Sequence, residues 1–261
     1  LVGSEMCIRD RNIQITPQLW SPANPKLYEV IISSKNESIN DEIGFRSIKT
    51  QGKKIYLNNS EIRFKGIAMH SEPIGIDGPA FSQEHFKELL STAKELNINF
   101  VRAAHYPYTR HLAKIADQFG LMLWEEVPVY WNIDWSNAET LTIAKNQISR
   151  LVQRDQNRAS VVVWSVANET PLSNPRMKFL NTLISDIEKF DSTRLTTAAL
   201  LSGSEEQFRS LVLVLALQGT KSEWVDANEK YKDKEPAEQV WLSCLLYTSP
   251  SPRDATLSRM P

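Results

Sequence analysis

The sequence predicts an α/β fold in which a partial (β/α)8 TIM barrel, about its first half, follows the last strands of a β-sandwich. Three observations support this prediction. Short β-branched and aromatic segments come first, and short apolar segments then alternate with single amphipathic helices. Polar residues follow the carboxyl ends of successive apolar segments. Strands that alternate with single helices form right-handed βαβ units and therefore a parallel sheet.

The two ends of the chain are predicted to be read-through of a sequencing-library adapter. The first ten residues can be back-translated into a DNA string whose reverse complement, in a shifted frame, encodes residues 244–253. Two protein ends that are antisense translations of each other are improbable by chance. We therefore assign residues 1–11 and 244–261 to adapter, and we expect the native reading frame to be cut at both sides.

Composition excludes several classes of function. Both cysteines, Cys7 and Cys244, lie in the two ends, so neither disulfides nor thiol chemistry are expected in the native part. The chain has 30 basic and 31 acidic residues, a balance that argues against a nucleic-acid or polybasic membrane surface. Its longest conspicuous apolar run, residues 211–217, falls far short of the roughly 18 residues that span a bilayer. We expect a soluble globular protein with neither nucleic-acid nor membrane partners.

Residues 12–49 are predicted to be the C-terminal strands of the β-sandwich domain. Residues 27–33 have the β-branched and aromatic content of a strand, and residues 42–48 are predicted as a second strand. A hairpin follows, with Asn58 and Asn59 as its turn.

Residues 50–243 are predicted to form the N-terminal half of the barrel. Ser82 is an expected N-cap of the first helix, and Gly120 is an expected C-terminal stop of the second. From residue 202 onward the sequence gives no firm assignment. The predicted strands and helices alternate through residues 64–69, 85–97, 99–105, 112–119, 121–126, 138–155, 160–169, 177–190 and 195–201.

Polar residues distinguish a closed barrel from an open, doubly wound sheet. His70, His105, Glu126 and Glu169 each lie at or just beyond the end of a successive predicted strand. In a barrel these ends meet at one mouth, where the chemistry takes place. An open sheet would bind its ligand at one crevice, and no glycine-rich phosphate loop is present. The pattern therefore favours the barrel.

The dipeptide Asn168-Glu169 is the main candidate for catalysis. It ends a strand whose preceding residues are almost wholly apolar. A carboxylate at such a rim is expected to be partly desolvated, which suits it to donate a proton near neutral pH. Cleavage of a glycosidic bond needs two carboxylates, one acting as acid and one as nucleophile or base. The alternative is a solvated glutamate that begins the next loop.

Several segments carry a resemblance to a known family. Residues 155–169, DQNRASVVVWSVANE, resemble the acid/base signature of the family 2 glycoside hydrolases. Residues 99–107, NFVRAAHYP, resemble the family's other signature. FKGIAMHSE, residues 64–72, is similar to its first barrel strand, and GFR, residues 44–46, to the exit from its immunoglobulin-like sandwich. These segments come in the family's order and spacing.

The resemblance implies a retaining β-glycosidase in which Glu169 is the general acid/base. It implies that Asn168 holds the sugar 2-hydroxyl, that His70 and His105 line the adjacent subsite, and that Arg102 is the interior arginine of the barrel. The alternative for each histidine is a satisfied buried side chain. For Glu125 and Glu126 structural ion pairing is favoured, with one carboxylate pointing into the barrel. Core or rim packing is favoured over sugar binding for Trp124, Trp131 and Trp164.

The resemblance also limits what this chain can do alone. The family's nucleophile is a glutamate near the end of the seventh strand, and none in residues 201–243 lies in a comparable motif. We therefore expect the fragment to be inactive. The expected partner is a carbohydrate substrate, with no cofactor or metal. A β-glucuronidase-like substrate is favoured, while β-galactosidase, β-mannosidase and a non-catalytic carbohydrate-binding relative stay open, as do localisation and a homo-oligomeric parent.

Overall fold

The computed structural model describes residues 15–200 except residues 53, 74, 76 and 172. The two ends assigned to adapter, residues 12–14 and the segment after residue 200 therefore lie outside the described residues. Within the described part, no helix is both long and apolar enough to cross a membrane.

Two small antiparallel sheets come first. Strands β1 (Tyr28–Ser33) and β2 (Ser38–Ile43) pair as a hairpin. Strands β3 (Ile48–Gln51), β4 (Lys54–Leu57) and β5 (Ser60–Ile62) form the second sheet. The predicted turn at Asn58 and Asn59 is confirmed, and both residues have positive φ, as a tight two-residue hairpin requires.

The prediction of one strand through residues 42–48 was wrong. Residues 44–47 have no regular structure because they pack against the parallel sheet instead of pairing with a strand. A Cβ on Gly44 would lie 2.8 Å from the Cβ of Ala159, so only glycine fits this contact. Arg46 donates through Nε to the carbonyl of Ala159 at 3.1 Å and through Nη1 to that of Thr193 at 3.0 Å. Burial lowers the pKa of Arg46 to about 9.

A five-stranded parallel sheet follows, and it confirms the predicted α/β fold. Its strand order is the chain order, from one edge to the other. Neighbouring strands in this order are connected through helices, as βαβ units require. The strands are β6 (Gly66–Met69), β7 (Phe100–Ala103), β8 (Met122–Glu126), β9 (Val161–Thr170) and β10 (Leu195–Leu200).

Four helices connect these strands. They are α1 (Gln83–Glu95), α2 (Arg110–Phe119), α3 (Ala138–Asp155) and α4 (Asn174–Phe190). Ser82 caps α1 by accepting from the backbone of His85, and Gly120 ends α2 with φ of 67°, so both predicted signals are confirmed. Helix α4 begins before its predicted start at residue 177, because Ser173 caps it and Pro175 lies in its first turn.

The parallel sheet separates two apolar clusters, because successive side chains of a strand point to opposite faces. The helix-facing cluster includes Val101, Leu123 and Trp164 from the strands, with buried residues from all four helices. The inner cluster includes Phe100, Met122 and Trp124. Four residues that precede the parallel sheet in the chain also belong to the inner cluster: Trp20, Ile55, Leu57 and Phe64.

Candidate active site

Strand alternation places one arginine and one glutamate on the inner face of the sheet. Arg102 lies two residues after the inner residue Phe100, and its guanidinium lies 4.9 Å from the ring centre of Trp124. Glu126 lies two residues after Trp124 and is fully buried. Glu125, on the opposite face, turns toward α3, where Arg154 is its nearest cation at 4.0 Å.

Glu126 is the centre of a buried hydrogen-bond network. Its carboxylate accepts from Arg102 Nε and Nη2, each at 3.1 Å, and from Trp124 Nε1 at 2.7 Å. His105 Nδ1 lies 2.6 Å from Glu126 Oε1. Because an ionised carboxylate only accepts hydrogen bonds, this contact places a proton on Nδ1. The network therefore fixes the orientation of both the guanidinium and the imidazole.

The same arginine orients Asn168. Arg102 Nη2 donates to Asn168 Oδ1 at 2.5 Å, and both side chains are buried. A guanidinium has no acceptor, so the atom of Asn168 that faces it must be the amide oxygen. The amide nitrogen is then the donor that Asn168 can offer to a ligand.

Glu169 follows Asn168 and has an unusual backbone conformation. Its φ is 47°, in the left-handed region, which costs a non-glycine residue roughly 1–2 kcal/mol. Its side chain is exposed. The expectation of partial desolvation was therefore wrong for the described residues. The apolar residues before it are buried within β9 and do not enclose a side chain that follows them.

The loop after β8 holds the backbone of Asn168 on both sides. The N–H of Asn168 donates to the carbonyl of Val129 at 2.8 Å, and the N–H of Trp131 donates to the carbonyl of Asn168 at 3.1 Å. Tyr130 and Asn168 form a parallel bridge. The loop thus extends the sheet beyond β8 and anchors the residue next to Glu169.

Aromatic rings and histidines surround this network. The rings of His70 and His105 lie 5.3 Å apart and nearly perpendicular, and His70 lies 6.4 Å from Tyr106. His70 is exposed, so the alternative of a buried structural histidine does not apply to it. Tyr108 is buried near these rings. Its hydroxyl donates to the carbonyl of Met69 at 2.5 Å, and burial raises the pKa of that hydroxyl.

The structure brings together most of the residues predicted for the site. Arg102 and His105 are joined through Glu126 and Arg102 bonds Asn168, with His70 beside His105 and Glu169 next to Asn168 in the chain. Sequence reasoning placed Glu126 at the barrel mouth but favoured structural ion pairing for it over a role in the site, and its ion pair with Arg102 is present at 3.1 Å. The signal was available, because Glu126 and Trp124 share the inner face of one strand and the buried guanidinium of a neighbouring strand needs a carboxylate partner.

The three tryptophans assigned to packing have different environments. Trp124 and Trp164 are buried on opposite faces of the sheet, in agreement with that assignment. Trp131 is 66% exposed. Among the described residues, no group of three or more histidine, cysteine or acidic side chains could hold a metal ion.

Comparisons with known proteins agree with this geometry. Residues 48–236 match the family model described as "Glycosyl hydrolases family 2, TIM barrel domain", and residues 8–46 match the model described as "Glycosyl hydrolases family 2". The β-galactosidase of Thermoanaerobacterium thermosulfurigenes is 32% identical over 186 residues, which cover 69% of this chain and 25% of that protein. A putative β-glucuronidase of Formosa agariphila is 32% identical over 170 residues, which cover 62% of this chain and 20% of that protein.

A solved structure shows the same similarity in three dimensions. The β-D-glucuronidase of Dictyoglomus thermophilum superposes with a TM-score of 0.70 at 25% identity, and the match covers 88% of this chain and 43% of that one. The predicted partial TIM barrel is therefore confirmed. The chain spans about a quarter or less of the length of the two curated relatives.

Proposed function

This chain belongs to glycoside hydrolase family 2, and from that premise we propose that it carries the acid/base half of a retaining β-glycosidase active site. The relatives are several times longer than the matched region, so the activity is proposed for a longer protein that contains this chain, called here the parent protein. Its nucleophile would come from residues outside the described part. Residues 12–49 would end its sandwich domain, and residues 50–243 would begin its barrel.

The observation that supports this proposal best is the bond between Arg102 and Asn168. It directs the amide N–H groups of Asn168 away from the arginine, so that they can donate to a sugar hydroxyl. Glu126 holds the arginine in place, and His105 with His70 lines the adjacent subsite. Such preorganised donors are what glycoside cleavage uses to strengthen contacts to the sugar in the transition state.

Glu169 would act in both steps of the reaction. In the first step it protonates the departing glycosidic oxygen, and in the second it removes a proton from the attacking water. Its exposure leaves it accessible to both the leaving group and water. The strained backbone at Glu169 supports a functional role, because such residues are concentrated at active sites.

The favoured substrate is a β-glucuronide, with β-galactosides and β-mannosides as alternatives within the family. The similarities support a β-glycoside in general, because similar curated proteins are named both as β-glucuronidase and as β-galactosidase. A solved relative of 25% identity is a β-D-glucuronidase. Comparing the hydrolysis of 4-nitrophenyl β-glucuronide, β-galactoside and β-mannoside by the parent protein tests this choice.

A Glu169→Ala variant of the parent protein tests the role of the acid/base. Alkyl glycosides should lose about 10²–10⁴-fold in kcat/KM, because their leaving groups need protonation. Activated aryl glycosides should lose far less, and the glycosyl-enzyme should accumulate. Azide, which needs no base, should then restore turnover and give a β-glycosyl azide. Glu139→Ala, which removes an exposed carboxylate from the first turn of α3, is the control.

Two results would contradict the proposal. Equal losses on both substrate classes together with an α-glycosyl azide would make Glu169 the nucleophile. A parent protein that binds carbohydrate but hydrolyses no β-glycoside would be the non-catalytic relative.

A further inference from the structure

Two large aromatic side chains are exposed in the loop that anchors Asn168. Tyr130 is 43% exposed and Trp131 is 66% exposed. Their rings are nearly perpendicular, with centres 6.1 Å apart, and the Tyr130 ring lies 6.4 Å from that of His105. Tryptophan is highly buried on average, so exposure of this extent beside a polar site points to a contact with a ligand.

The loop holds these rings at a defined position. The N–H of Trp131 donates to the carbonyl of Asn168, which is the carbonyl of the peptide group shared with Glu169. Trp131 also has a φ of 54°, an outlier for a bulky residue. Any change in the position of this loop would therefore reach the peptide bond of the proposed acid/base.

The chemistry of Glu169 indicates which part of a substrate lies near this loop. The buried polar side chains of Arg102, Glu126 and Asn168 suit the sugar whose bond is cleaved. The acid/base must contact the oxygen of the leaving group. The exposed rings lie next to Glu169 along the backbone contacts and outside the buried network. A leaving group therefore extends toward them.

We propose that Trp131, supported by Tyr130, is the platform for the leaving group and confers a preference for aglycones that present a flat ring. This inference rests on the proposed function, because it takes Glu169 as the acid/base. A ring stacked on the indole gains apolar burial and face contacts that a methyl aglycone lacks.

A comparison of benzyl and methyl β-glycosides in the parent protein tests the platform. The two leaving alcohols have similar acidity, so the need for protonation is the same and only the ring differs. For the wild type, kcat/KM for the benzyl glycoside should exceed that for the methyl glycoside about tenfold. Trp131→Ala should reduce this ratio to within about twofold of unity, and Trp131→Phe should retain most of it.

Trp135→Ala is the matched control. This tryptophan lies four positions along the same connection, but its ring packs edge-on against Phe179 at 5.3 Å. Its loss should lower both kcat/KM values in parallel and leave the ratio unchanged.

The outcomes separate this inference from the proposed function. If the wild type has nearly equal kcat/KM values for the benzyl and methyl glycosides, the platform is overturned before any variant is made. Equal losses on both substrates in Trp131→Ala and in Trp131→Phe also overturn it, and make Trp131 a structural support of Asn168. Absence of hydrolysis of every β-glycoside would instead refute the proposed function, and the platform with it.

Discussion

Replacing Glu125 with glutamine should stabilise the protein at neutral pH. Glu125 is 2% exposed and faces the helices, where it takes no part in the proposed site. Neither of its carboxylate oxygens accepts a hydrogen bond within the described residues. Its nearest cation, Arg154, lies 4.0 Å away and is already bonded to Asp155. Burial raises the pKa of Glu125 well above its ordinary value of 4.5, and the neighbouring Asp155 carboxylate raises that pKa further.

The direction of the pH effect follows from this raised pKa. Below pH 4.5 the carboxyl is protonated in both the folded and the unfolded protein, and its contribution to stability is fully present. Above pH 4.5 only the unfolded carboxyl ionises. The free energy of unfolding then falls by about 1.4 kcal/mol for each pH unit, until the pH passes the folded pKa. A glutamine stays neutral at every pH, so the variant should not lose this stability.

Thermal unfolding of the parent protein between pH 4.5 and 8 measures this effect. Glu125→Gln should stabilise the barrel at pH 7.5 by about 1.4 kcal/mol for each pH unit, up to that pH, by which the folded pKa of Glu125 exceeds 4.5. An increase of this size is readily measured as a rise in the Tm of the barrel. The gain should disappear at pH 4.5. Glu95→Gln, at the exposed end of α1, should show no such pH dependence.

A loss of stability in Glu125→Gln at pH 7.5 would refute this reasoning. It would mean that Glu125 is ionised in the folded protein and that Arg154 compensates its charge.

Two further predictions concern activity and packing. The 261-residue chain alone should hydrolyse no β-glycoside, because the family's nucleophile is not expected in it, and turnover of an aryl β-glucuronide by the purified chain would contradict this. It should also aggregate on expression, because β6 and β10 each leave a sheet edge unpaired within the described residues. In the parent protein, Gly44→Ala should cost about 1–3 kcal/mol in unfolding free energy, since the new Cβ would lie 2.8 Å from that of Ala159. Adding Ala159→Gly should recover only part of the loss, because Trp20 would also lie 3.0 Å from the new Cβ. A Gly44→Ala variant as stable as the wild type would argue against the contact.

The helices and parallel strands could be predicted because local signals determine them. Apolar periodicity predicted α3 at its observed bounds, and Ser82 and Gly120 marked helix ends through contacts within a few residues. The irregular segment at residues 44–47 could not be predicted in this way. Its partners, Ala159 and Thr193, lie more than a hundred residues along the chain.

The candidate site was likewise predictable only where local patterns determine it. The sequence by itself determined the residue types at the strand ends, including Asn168, Glu169, His70 and His105, because strand period and family motif fix which residues reach the mouth. Only the tertiary structure decided that Glu126 joins Arg102 to His105, since this network connects neighbouring strands at distances that no local pattern encodes. It also decided that Glu169 is exposed and that Trp131 lies beside Asn168, because burial and loop position depend on how separate elements pack.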